Sequence, residues 1–189
     1  MSGLRSRRAL AALSVFALVS CAGGGASHNP GQLYDLGVDA PATEMPPLVL
    51  RDVRALQPFD GVYMYYRLSY RDGAEVVAFA QSRWVAAPSE LVRKQLARAM
   101  RHGIPHCALE VELEEFSQVF DAPDRSTVRL ELVAKLEAPG ARSETRVLRI
   151  VEPDAGANAA QGASAMRRAV SRAISELARW INGVTACRG

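Results

Sequence analysis

No glycine-rich loop followed by Lys-Ser or Lys-Thr occurs in the chain, so the backbone cradle that nucleotide hydrolysis needs is missing. Histidine is scarce, at three residues. His28 stands among glycines, while His102 and His106 lie four apart with Cys107 beside the second. Gly103 and Pro105 fall between them, which argues for a loop instead of a helix presenting both imidazoles on one face, so no metal site is expected. No Ser, His and Asp arrangement suggests a nucleophilic hydrolase. The expectation is a protein without cofactor that is not an enzyme. Long apolar runs are also absent: Ala9 to Val19 is roughly half of the ~20 residues that a membrane-spanning helix requires.

That short run has a recognisable setting. Arg5, Arg7 and Arg8 precede it and Ser20-Cys21 closes it, the order of a secretory signal peptide over residues 1–20. Leu18-Val19-Ser20-Cys21 resembles the bacterial lipobox, which implies acylation of the Cys21 thiol and cleavage just before it. The other reading is an ordinary signal peptide that a cysteine happens to follow. Each buried acyl carbon contributes about 0.8 kcal/mol, so two or more chains on Cys21 would hold the protein on a membrane without any helix. Ala22 stands where sorted lipoproteins retained at the inner membrane carry Asp, and the outer membrane is therefore the expected destination.

Removal of the signal also changes the charge. Its three arginines leave and no acidic residue does, so twenty basic side chains face twenty acidic ones. The apparent basicity belongs to a discarded segment, and no nucleic-acid partner is implied.

Residues 21–33 are glycine-rich with little apolar bulk and are expected to be a flexible tether. Residues 34–189 then form one periplasmic domain. Leu48 to Leu56 follows Pro46-Pro47 with β-branched and apolar residues and reads as a strand. The Tyr-rich run Val62 to Tyr70 and the run Glu75 to Trp84 flank Asp72-Gly73, a hairpin signal in which glycine would supply positive φ. Pro88-Ser89-Glu90 opens a helix, with Ser89 as cap and Leu91, Val92, Leu96, Ala99 and Met100 at helical spacing. Gly103 and Pro105 end it.

Leu109, Val111 and Leu113 then alternate with Glu110, Glu112 and Glu114, one dry face and one acidic face, until Phe116 breaks the pattern and suggests a bulge near Glu115. Val128 to Leu136 repeats the alternation with Arg129 and Lys135 outward, placed to oppose those glutamates. Glu144 to Val151 makes a last strand of a three-stranded meander. Asn158 to Asn182 is an amphipathic helix with an Asn158/Gln161 capping box and a stripe of Met166, Ala169, Val170, Ala173, Ile174, Leu177, Trp180 and Ile181. The expected fold class is α+β, a single mostly antiparallel sheet with two helices packed on one face.

With Cys21 taken by lipid, Cys107 and Cys187 remain. In an oxidising periplasm they are candidates for a disulfide, the alternative being two reduced thiols too far apart to meet.

Tyr63-Met64-Tyr65-Tyr66-Arg67-Leu68, then Arg83-Trp84 with Pro88 four later before an amphipathic helix, resembles the ABC-type transport auxiliary lipoproteins, the family of the PqiC-like proteins. The similar order of elements runs from Tyr34 to Trp180; Val85-Ala86-Ala87 departs from it by lacking the usual acidic residue. The resemblance implies a non-catalytic component of a lipid transport system, with an MCE-domain protein and ABC transporter subunits as partners. A lipoprotein regulator of peptidoglycan synthesis, acting by protein contact, would share the anchor, tether and small domain. Trp84 reads as a plug between sheet and helix in preference to a lipid or partner contact. Tyr63, Tyr65 and Tyr66 cannot all face one core, which raises the expectation of a homo-oligomer.

Overall fold

A computed structural model describes residues 31–38, 43–153 and 155–187. Cys21, the signal segment and most of the expected tether lie outside the described residues. Seven strands form one sheet: β1 (Gln32–Tyr34), β2 (Leu48–Ala55), β3 (Tyr63–Leu68), β4 (Asp72–Trp84), β5 (Cys107–Ala122), β6 (Arg125–Glu137) and β7 (Glu144–Glu152). Helix α1 (Pro88–Ala99) and helix α2 (Ala159–Gly183) pack on it, and a 3-10 turn, Thr185–Cys187, follows. The fold is α+β as expected.

The strand order is β1-β4-β3-β5-β6-β7, with β2 also paired to β5. β5 is the spine. One edge runs along β6 throughout; the other is shared, its first half taken by β2 and its second by β3, both in parallel. β1 joins β4 in parallel as well, whereas β3–β4, β5–β6 and β6–β7 are antiparallel and the last two form the longest ladders. The register slips between Leu113 and Glu115, so Glu114 is an extra residue. That bulge resets the two-residue side-chain period: Leu109, Val111 and Leu113 point inward before it, and Phe116 continues inward after it. It lies between the end of β2 and the start of β3, where the 56–62 segment, with a cis Gln57-Pro58 peptide, steps from one to the other.

Several local expectations change. Gln32 and Leu33, assigned to the tether, form β1 against Ser82 and Arg83, because the exposed backbone of β4 can order a short strand that carries no apolar pattern of its own. The β3–β4 reversal uses Ser69, Tyr70 and Arg71, with Leu68 opposite Asp72. Arg71 N donates to Leu68 O at 2.9 Å, and Asp72 Oδ1 accepts from Ala74 N at 2.9 Å inside the strand, so Gly73 is not needed for positive φ. Ser89 does not cap α1. The N-cap is Ala87, and Pro88 at the first helical position loses nothing by lacking an N–H there.

Leu91, Val92, Leu96 and Ala99 are buried, as is the α2 stripe from Met166 to Ile181 except Trp180. The Trp180 indole is half-buried, donating to Glu144 at 3.4 Å with the Arg146 guanidinium 5.6 Å from its centroid. Asn158 Oδ1 accepts from Gln161 N at 3.0 Å, and Gln161 Oε1 accepts from Ala157 N at 2.9 Å, a capping box returned one residue early.

Gly162 faces the sheet with no room for a side chain. A Cβ there would lie 2.1 Å from Gln118 Oε1. Gln118 is buried, and its amide nitrogen donates to Ser126 Oγ at 2.8 Å and Ala155 O at 3.2 Å, so it is not free to retreat. Overpacking costs about 1–3 kcal/mol, against which alanine regains about 1 kcal/mol of helix propensity. Gly162→Ala is therefore expected to lower unfolding stability by up to about 2 kcal/mol, the difference of those two effects, visible as a lower denaturant midpoint at unchanged slope.

Candidate functional site

The strand β4–helix α1 junction carries the residues singled out in the sequence. The Trp84 ring is 3% exposed and meets Phe116 edge-on, centroids 5.3 Å apart at 61°. Trp84 N donates to Val62 O at 2.8 Å and Val85 N to Tyr34 O at 2.9 Å, so this short stretch joins β3, β4 and β1 before Pro88 starts α1. The Trp84 indole Nε1 has no acceptor among the described residues. Such burial makes Trp84 a core plug and leaves nothing of it for a partner to touch. Pro88 is buried as well.

The three tyrosines divide between faces. Tyr66 lies against Phe79 (4.7 Å) and Phe120 (6.0 Å), Tyr65 is edge-on to Phe59 (5.6 Å), and Tyr63 is 43% exposed under the Arg83 guanidinium, 4.7 Å from its centroid.

Cys107 and Cys187 are joined by a disulfide, their Cα atoms 5.3 Å apart and both side chains buried. The bond staples the start of β5 to the turn after α2. His102 and His106 are exposed in the loop before β5, and among the described residues no group of three or more His, Cys, Asp or Glu could hold a metal ion.

The sheet face opposite the helices is charged and internally paired. Lys135 meets Glu110 at 3.7 Å, the expected opposition of β6 and the acidic strand, and Glu137 of its own strand at 2.6 Å. Arg129 does not follow that expectation: it stands opposite Ser117, two residues past Glu115, where the acidic run has ended. Arg51 pairs with Glu137, and Arg54 with Glu112 at 2.6 Å. These two came unannounced, since parallel pairing of β2 with β5 leaves no local mark in sequence. The hydrogen bond from Lys135, then that from Arg51, holds the Glu137 carboxyl below the usual carboxylate range, and the bond to Glu137 raises the Lys135 ammonium. Glu137 thus favours the fold above its unfolded pKa and loses that as pH falls through its folded one, an effect that solvent keeps small.

No protein-family model matches the sequence, and no curated protein matches it. Solved structures share its fold, two of them along most of the chain. A protein of Xanthomonas campestris described under family DUF330 is 17% identical, with a TM-score of 0.64 over 79% of this chain and 93% of its own. A second, titled an uncharacterized protein, is 13% identical, with a TM-score of 0.62 over 80% and 98%. A lipoprotein-titled structure from Caulobacter crescentus overlaps 49% of this chain at a TM-score of 0.34, too little to define a shared fold. The chain therefore has the α+β fold of the first two. Among the described residues no helix is long and apolar enough to cross a membrane.

Proposed function

We propose that this chain is an outer-membrane-anchored periplasmic lipoprotein, a non-catalytic accessory of an MCE-protein and ABC-transporter system that moves lipid between the membranes. The observation that carries the reading is the order of parts: a lipobox-like Leu18 to Cys21, a short connecting stretch, then the Tyr-rich strand and the Trp84–Pro88 junction, which resemble the auxiliary lipoproteins. The junction's role in uniting three strands and a helix supports that resemblance, because it accounts for those residue types by packing.

Affinity capture of the full chain from detergent-solubilised envelopes tests the reading. The expected partners are an MCE-domain protein and permease subunits; a penicillin-binding synthase recovered without them would replace this role by regulation of peptidoglycan synthesis. The anchor has its own test. Cys21→Ala is expected to move nearly all of the protein from the membrane pellet to the soluble periplasm, and Ala22→Asp to move it from outer-membrane to inner-membrane fractions of a density gradient. An unchanged pellet for Cys21→Ala would rule out acylation as the anchor.

A further inference from the structure

A row of side chains crosses the β1 edge of the sheet on the side away from the buried Trp84 ring. Leu33 is the register partner of Arg83, and Arg83 that of Tyr63, so the three stand side by side on neighbouring strands, about 4.8 Å per step. Leu33 is 62% exposed, and Val85, just past the strand end, is 48% exposed. Tyr65 backs Tyr63 with ring centroids 6.3 Å apart. Among the described residues no carboxylate forms an ion pair with Arg83, whose guanidinium lies over the Tyr63 ring. Aliphatic bulk, phenol rings and an unneutralised cation are the groups that settle at the headgroup level of a bilayer.

The position of the row supplies the second argument. β1 follows Gly31, whose backbone closes on Gln81: a Cβ there would lie 3.0 Å from the Gln81 carbonyl oxygen. The chain therefore enters the sheet at a fixed point beside the row. Ten chain steps, through nine intervening residues, lead from Cys21 to Gly31. A chain of that length spans at most about 35 Å, and about 17 Å root-mean-square as a random coil. Contact between the row and the anchoring leaflet is then intramolecular, at millimolar effective concentration, so a patch too small to recruit a free protein suffices for a tethered one.

The geometry points to a docked orientation in which the Leu33–Arg83–Tyr63 row rests on the anchoring leaflet, with Arg83 at a lipid phosphate and Leu33 and Tyr63 at the hydrocarbon boundary. The inference rests on acylation of Cys21, as in the function proposed above. Its test uses the mature lipid-modified chain in vesicles of phosphatidylethanolamine and phosphatidylglycerol, with an environment-sensitive fluorophore on Leu33→Cys or, as a distant control, on Val151→Cys. With Cys21 acylated and Cys107 bonded to Cys187, the new thiol takes the label alone. The label at 33 is expected to shift to the blue and to resist aqueous iodide several-fold better than the label at 151, and Arg83→Ala to remove most of that difference. Equal iodide quenching at both positions in protein that co-floats with vesicles overturns the docking and leaves the anchor standing. Failure to co-float overturns the anchor, and the docking with it. Protection at 33 that arises only when envelope proteins are added overturns the lipid contact in favour of a protein one.

Discussion

Trp84→Ala is expected to cost about 3–5 kcal/mol of unfolding free energy, the range for removing a large buried aromatic side chain from a core that closes only partly over the gap. The ring is 3% exposed and wedged edge-on against Phe116, and the backbone on either side of it hydrogen-bonds to β3 and β1. Collapse around the gap would have to move strands as well as side chains, which argues for the upper part of that range. Trp84→Phe separates packing from everything else. It keeps the aromatic contact and removes an indole N–H that has no acceptor among the described residues, so its cost should stay below about 1.5 kcal/mol. Denaturant titration of the three proteins measures both. If Trp84 acted by touching a partner instead, Trp84→Phe would keep the stability and lose the partner; a core plug predicts that capture of partners survives.

The second large effect belongs to the disulfide. Cys107 and Cys187 are 80 residues apart in sequence, and closing a loop of that size removes enough freedom from the unfolded chain to be worth on the order of 4 kcal/mol. The double change Cys107→Ala with Cys187→Ala is therefore expected to lower stability by about that amount, as is treatment of the native protein with a reductant. Substituting both cysteines together avoids leaving a single reactive thiol. The comparison to make is equilibrium unfolding of the double variant against the oxidised protein, with electrophoretic mobility under non-reducing conditions reporting the bond. A difference under about 1 kcal/mol would mean that the bond only decorates a contact that α2 and β5 already hold.

How much of this could be read beforehand follows from how local each cause is. β5, β6 and β7 were legible because antiparallel neighbours joined by short turns show their buried face as simple alternation, and even the bulge was announced when Phe116 fell out of phase. α2 was legible from its stripe and from Asn158 with Gln161. Elimination left the two cysteines only as candidates for a bond, since nothing in their spacing states that their Cα atoms come within 5.3 Å. Three things could not be read. The parallel pairings of β1, β2 and β3 depend on distant partners, and a residue's type says little about which strand lies beside it. β1 is too short for any period to declare itself. The Asp72-Gly73 signal misled because Asp72 uses its carboxylate on Ala74 N within the strand, while the reversal falls on Ser69 to Arg71. The Leu33–Arg83–Tyr63 row was hidden for the same reason: it exists only once three strands from separate stretches of chain are in register.

Strand order also fixes a span. β1 sits at one margin of the sheet and β7 at the other, five steps away, and at about 4.8 Å per step the two margins are some 24 Å apart along the sheet. The Leu33–Arg83–Tyr63 side chains stand off one face of β1, β4 and β3, so a leaflet under them lies along that face, and the β7 margin, with its unpaired backbone and the exposed Val147 and Val151, is displaced sideways from the contact by that distance. That rim stays open to a protein partner while the row is covered by lipid.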